Sequence, residues 1–279
     1  MSASTNAYGS AAWQPLLMEK NMIFDTHAHY EDEAFNEDRE TMLESLHDGG
    51  VGTVVNVAST WRSLELTRAL TEAYDFVYGA YGIHPDNVGE LSDERLEELE
   101  RYCRLPKAVA VGEIGLDYYW NKESRELQIK WFREQLRLAK RLGLPVIIHS
   151  RDAAEDTMTV SEEEHLEEIG GVVHCYSYSA EMAKKYLKMG MYIGVGGVVT
   201  FKNARKLRET VEITPIERIV LETDCPYLSP EPNRGKRNSS LNLPYVAAKI
   251  AEIKGIEAEE VVRITEENAR RMYRLAVEA

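Results

Sequence analysis

The sequence predicts an α/β fold, a (β/α)8 TIM barrel formed by residues 22–279 as a single domain. Three observations carry the prediction. Eight short β-branched apolar runs recur along the chain, the segments between them show helical periodicity, and histidines or carboxylates stand at the C-terminal ends of the runs. The chain has 279 residues, room for one barrel of about 250.

The runs are 22–29 (MIFDTHAH), 53–59 (TVVNVAS), 77–84 (VYGAYGIH), 108–117 (AVAVGEIGLD), 145–150 (PVIIHS), 171–177 (GVVHCYS), 191–197 (MYIGVGG) and 219–226 (IVLETDCP). Helices are expected over 92–103, 125–142, 180–189 and 241–254. In 125–142, Leu127, Trp131, Leu136 and Leu138 fall near one face with charges elsewhere. Arg141 and Gly143 mark the end of that helix, and Pro145 opens the next strand. Strands alternating with helices imply a parallel sheet. Eight units point to closure, where a doubly wound sheet commonly has five or six strands.

Residues 1–21 are small and polar, with no basic start and no long apolar stretch. They are expected to be an added leader or a disordered extension rather than a secretory signal, with Met22 as the natural start. No apolar run approaches the roughly 20 residues of a membrane span. Cys103, Cys175 and Cys225 are too scattered for a disulfide framework or a CxxC site. A cytoplasmic location without membrane attachment is expected. The net charge of −14 argues against a protein that coats nucleic acid or lies on an anionic membrane. It leaves room for an enzyme that grips one phosphate through metal ions.

Five of the seven histidines, His27, His29, His84, His149 and His174, end apolar runs. That rim is where a (β/α)8 barrel carries its active site. His27 and His29 are two apart, so a strand presents both to one face, here the interior. Glu113 and Asp224 are carboxylates ending apolar runs, costly to bury without a partner, and a metal is such a partner. Four inward histidines, His27, His29, His149 and His174, with these two carboxylates exceed one tetrahedral site. They suit two ions with a bridging carboxylate and open positions. Asp25 lies deeper and suits a supporting network. Glu222 is read as packed outward or bonded to backbone, and His47 and His165 as solvated.

At this point the residues resemble a known pattern. FDTHAH, YGIHP, VGEIGLDYYW, PVIIHSRDA, VVHCYS and LETDCPYLSP occur in this order. Together they make residues 22–276 similar to the TatD-type metal-dependent deoxyribonucleases, within the amidohydrolase-like barrels. The resemblance implies that His27, His29, Glu113 and Asp224 hold one metal, and Glu113, His149 and His174 the other. It places His84 near a substrate phosphate and implies phosphodiester hydrolysis, with release of nucleotides from a DNA end. Glu113 stands where several related hydrolases use a carboxylated lysine, which turns the reading away from phosphotriesterase or dihydroorotase types. The chain departs from the pattern after Asn238, where Ser239 and Ser240 replace a common Glu-Pro.

On this reading Glu113 and Asp224 are catalytic, Asp224 both ligating a metal and accepting the water's proton. Arg151, Arg234, Lys236 and Arg237 are candidates to hold flanking phosphates. Tyr118, Tyr119 and Trp120 either stack on a base or pack under a loop. The cofactors expected are two divalent ions, chosen among zinc, manganese, nickel, iron and magnesium. The expected partner is DNA or a short oligonucleotide, with no obligate protein partner. Two rivals stand beside it: a metallohydrolase of the same barrel acting on a small phosphoester, lactone or amide, and a non-enzymatic barrel used as an interaction module.

Overall fold

The computed structural model describes residues 22–120 and 124–276; the expectation for residues 1–21 falls outside these. Eight parallel strands run in sequential order β1 to β8. They are β1 (Ile23–Ala28), β2 (Val51–Val57), β3 (Val77–Tyr81), β4 (Ala108–Asp117), β5 (Val146–Arg151), β6 (Gly171–Val173), β7 (Tyr192–Val195) and β8 (Ile219–Leu221). The first and last strands meet through the parallel bridge Ala28–Cys225, and Thr26 Oγ1 donates to Leu221 O at 2.9 Å. The chain is a TIM barrel, as its sequence predicts.

The helices are α1 (Arg39–Asp48), α2 (Trp61–Ala73), α3 (Asp93–Cys103), α4 (Arg125–Leu142), α5 (Ala154–Glu163), α6 (Leu166–Ile169), α7 (Ala180–Lys188), α8 (Arg205–Ile213), α9 (Leu243–Lys254) and α10 (Ala258–Met272). Local chemistry sets their ends. Thr60 and Ser63 form a reciprocal capping box at α2, and Ser92 and Ser179 cap α3 and α7. Gly143 closes α4 at φ 67°, a left-handed position that glycine reaches without strain.

One expectation fails on α4. Leu127 is exposed, while Gln128 and Gln135 are fully buried. The buried glutamines complete the backbone hydrogen bonds of Ile83, two residues past β3, and of Asp117, the last residue of β4. Gln135 pairs with both backbone groups of Ile83, at 2.8 and 3.1 Å. Gln128 does the same for Asp117, at 2.9 Å each. Each glutamine serves two buried peptide groups, which unpaired would cost about 2–6 kcal/mol together against about 1.5–3 kcal/mol gained by burying a leucine, so the polar residues take the inward face.

Two cores result. The larger lies between the barrel and its helices. The smaller takes residues from all eight strands, including Phe24, Val55, Ala80, Ala110, Ile147, Val172, Tyr192 and Val220, and therefore fills the barrel's interior. Met272 and Tyr273 at the end of α10 join it, and Tyr273 donates to Thr26 O at 2.8 Å. This packing closes the N-terminal end, and the polar interior residues collect at the opposite mouth.

Candidate metal centre

The strand ends bring all six predicted ligands to one rim, three of them on the strands and three just past them. His27 and His149 lie within β1 and β5, and His29 and His174 directly follow β1 and β6. Asp224 lies three residues beyond β8. Glu113 lies within β4, which spans the predicted run and continues four residues further to Asp117. A register shift against β5 between Val111 and Ile114 re-aims the strand at that point. Gly115, at φ 146°, permits the close approach of β5, because a Cβ there would lie 1.9 Å from His149 O.

His27, Glu113 and His174 are buried and His29 nearly so. His29 Nδ1 lies 2.8 Å from Val57 O. A carbonyl only accepts, so Nδ1 carries the proton and Nε2 presents its lone pair inward. That Nε2 sits 3.1 Å from His27 Nε2 and 3.3 Å from Asp224 Oδ1. His27 Nε2 is 3.7 Å from both Asp224 Oδ1 and Glu113 Oε2. The other oxygen, Glu113 Oε1, lies 2.7 Å from His149 Nδ1 and 2.6 Å from His174 Nε2. Those two nitrogens are themselves 3.2 Å apart.

This donor set fits divalent ions. Buried nitrogen lone pairs aimed at one another and at carboxylate oxygens repel unless a cation or proton lies among them. His27 Nδ1 and His174 Nδ1 are buried without a partner among the described residues, and both rings turn Nε2 to the cluster. Imidazole with carboxylate suits zinc, manganese, nickel or iron. His27, His29 and Asp224 form one compact group, and His27, Glu113 and His174 a second. His149 joins the second through Glu113, and also a third group with His84 and Asp117.

The electrostatics record the crowding. Burial opposes ionisation of Glu113, but the charge of His174 and hydrogen bonds from His149 and His174 hold its pKa well below the usual value. Burial also opposes a charged imidazole at His149, yet hydrogen bonds to Asp117 and Glu113 push its pKa up to about 9. His27, buried beside His174, goes the other way, well below the usual histidine value. Burial beside His149 likewise takes His84 down to about 4.

Supporting residues fix the donors. Asp25 receives the backbone N–H of His27 and of Thr223, the Thr223 hydroxyl at 2.7 Å and the Ser240 hydroxyl at 2.7 Å. It is the network residue that the sequence suggests. Ser240, at the place where the chain departs from the family pattern, thus belongs to the scaffold under His27. Glu222 is buried and accepts the backbone N–H of Cys175 at 2.5 Å, the backbone role expected of it, and burial pushes its pKa up to about 8. Cys175 and Asp224 hold left-handed backbone, at φ 45° and 55°. Such strain in non-glycine residues gathers at functional sites.

The cluster opens into a cleft of about 360 Å3, lined by His29, His84, Glu113, His149, His174 and Asp224 and bordered by Asp86, Trp120 and Tyr227. His84 Nδ1 receives the Asp86 N–H, and its Nε2 lies 4.0 Å from Glu113 Oε1. Trp120 and Tyr227 are more than half exposed. None of the four basic candidates lines this cleft, but Arg151 reaches its border, its guanidinium 5.6 Å from the centre of the Trp120 ring. Arg237 is engaged with Asp38 and Ala34 O, and Arg234 lies over Phe201 beside Glu231. Neither these two nor Lys236 lines the cleft. The sequence reading missed Asp117, which lies 3.1 Å from His149 Nε2. The signal was present, since Asp117 is four residues past Glu113 on the same strand. His47 and His165 are exposed, as expected.

Comparison with known proteins agrees with this geometry. The family described as TatD related DNase matches residues 24–274. The uncharacterized metal-dependent hydrolase YabD of Bacillus subtilis is 43% identical over 91% of this chain and 100% of its own length. The uncharacterized metal-dependent hydrolase YcfH of Escherichia coli is 35% identical over 91% of this chain and 96% of its own. Among solved structures, YjjV, a TatD homologue from Escherichia coli, superposes with a TM-score of 0.85 at 33% identity, covering 91% and 98% of the two chains. A TatD family hydrolase from Entamoeba histolytica superposes at 0.81 with 25% identity over the same shares. With the barrel, the six donors at its mouth and these relatives in agreement, the chain belongs to the TatD family of metal-dependent hydrolases.

Proposed function

We propose that the chain hydrolyses phosphodiester bonds at the end of a DNA strand, using two divalent ions held by His27, His29, Glu113, His149, His174 and Asp224. The observation that carries this is the division of one carboxylate. Glu113 gives Oε1 to His149 and His174 and turns Oε2 toward His27, so a single side chain faces two donor sets. When bound, the ions neutralise charge on phosphoryl oxygens and acidify water.

The protein's own groups supply the rest. Asp224 Oδ1 faces both His27 and His29 from the rim and takes a proton from the attacking water. His84, with Nδ1 occupied by the Asp86 N–H, directs Nε2 toward the reacting centre and orients a phosphoryl oxygen. Arg151 and the exposed rings of Trp120 and Tyr227 meet the nucleotide next to the scissile bond. Placement of Arg234, Lys236 and Arg237 away from the cleft favours a short single-stranded end over a long duplex footprint.

The same placement favours, as a second reading, a small phosphoester substrate. An assay of the metal-loaded protein on 3′- and 5′-labelled single and double strands, beside a small phosphodiester and a lactone panel, decides between them. Progressive shortening of one labelled strand is the expected result. Turnover of the small esters without nucleotide release would overturn the DNA reading.

A further inference from the structure

Asp117 joins two parts of the cleft. Its carboxylate Oδ2 lies 3.1 Å from His149 Nε2. Its Oδ1 accepts the backbone N–H of Tyr119 at 2.8 Å and of Trp120 at 3.0 Å. The backbone of Asp117 is itself held on both sides by the Gln128 amide, and the side chain is buried. A carboxylate accepts only, so His149 donates from Nε2 and keeps Nδ1 for the ligand cluster. The segment is gripped from β5 as well: the Tyr118 N–H donates to Arg151 O at 2.9 Å, and the Arg151 guanidinium stacks 4.0 Å from the Tyr119 ring. Arg151 and His149 are two residues apart on one strand.

We infer that Asp117 is a positioning residue that couples divalent-ion binding at His149 to the presentation of the Trp120 indole at the cleft mouth. An ion on Nδ1 draws density from the ring and makes Nε2–H a stronger donor, which pulls on Oδ2. The carboxylate is planar, so any adjustment of Oδ2 moves Oδ1 and the two amides bound to it. By linkage the effect is reciprocal: a loop held in place favours the ion, and the ion favours the held loop. The inference rests on His149 as an ion ligand and not on DNA as the substrate.

The experiment uses the full chain and zinc, whose filled d shell leaves indole emission unquenched. Zinc affinity is measured by chelator competition, and Trp120 emission is taken as the difference between wild type and Trp120→Phe. Saturating zinc is expected to shift that emission and its acrylamide quenching in the wild type. Asp117→Asn keeps an oxygen for the two amides but loses the second acceptor. Zinc affinity should fall about 10- to 100-fold, and the zinc-induced change in Trp120 should disappear. Tyr119→Pro, which removes one of the amide donors at an exposed turn, should weaken zinc in the same direction and covers the case of an unfolded Asp117 variant. A purely structural role would lower the melting temperature of the metal-free protein while leaving the Trp120 response intact, and that pattern overturns the inference. Wild-type zinc affinity in Asp117→Asn overturns it as well and leaves the metal centre standing. Absence of zinc binding by the wild type overturns both.

Discussion

Nε2 of His27 and Nε2 of His29 face each other at 3.1 Å. The two-residue spacing on β1 points both rings inward, and Asp224 closes the triangle from beyond β8. Two buried imidazole nitrogens at that distance share a cation or a proton.

The first prediction follows from which cation it is. In the metal-free protein the pKa of His149 is raised to about 9 and that of His174 is raised as well. His149 is therefore protonated at neutral pH and must release a proton to bind an ion, and the upward shift of His174 acts in the same direction. Metal affinity should therefore rise with pH up to about 9, by about tenfold per pH unit for each proton displaced, and flatten above it. Chelator competition from pH 6 to 10 measures the slope. A flat profile would show that the ions do not compete with these protons.

Glu113→Gln tests whether one carboxylate serves both donor sets. The amide halves the available oxygens and removes the negative charge, leaving the crowded imidazoles without compensation. Bound metal should fall from two ions per chain to one or none, and hydrolysis should fall with it. Two ions retained by the variant would count against sharing.

Asp224→Asn separates binding from chemistry. The amide keeps an oxygen toward His27 and His29 but accepts no proton at neutral pH. Turnover should drop about 10²- to 10⁴-fold, with a much smaller change in KM and most of the metal retained. Near-normal kcat with full metal content would remove Asp224 from the base role.

The basic residues divide by position. Arg151→Ala should raise KM for an oligonucleotide several-fold, because this guanidinium stands with Trp120 at the cleft. Arg234→Ala should change KM less than about twofold, since its side chain covers Phe201 and faces Glu231. Equal effects in the two variants would place the substrate along a wider surface than the cleft.

Much of this was legible in the sequence for a physical reason. A strand buried on both faces must be a continuous apolar run, so eight such runs expose the barrel and any polar residue at their ends. That logic located His27, His149 and His174 directly. It found Glu113 as well, but not the register shift in β4 that aims it, which leaves no mark in an apolar run. It overlooked Asp117, although that carboxylate ends the predicted run 108–117, because its partner His149 lies on the neighbouring strand and register is not written in either segment alone. Leu127 misled because the inward face of α4 serves the backbone of Ile83 and Asp117 as well as apolar packing. The basic stretch 234–237 shows the converse, since its density said nothing of Asp38 and Phe201, which occupy two of its three cations.

The seam of the barrel has a consequence for biosynthesis. β1 and β8, with the residues that follow each, are joined by the Ala28–Cys225 bridge, the Thr26–Leu221 bond and the Asp25 network, and they supply His27, His29 and Asp224 to the same cluster. The donors of that triangle are the earliest and latest of the site to leave the ribosome. A nascent chain that ends before residue 219 cannot complete it, however well its first seven strands have paired. Hydrolytic competence is thus withheld until Asp224 has been made, and a chain released before it by a premature stop carries no complete centre.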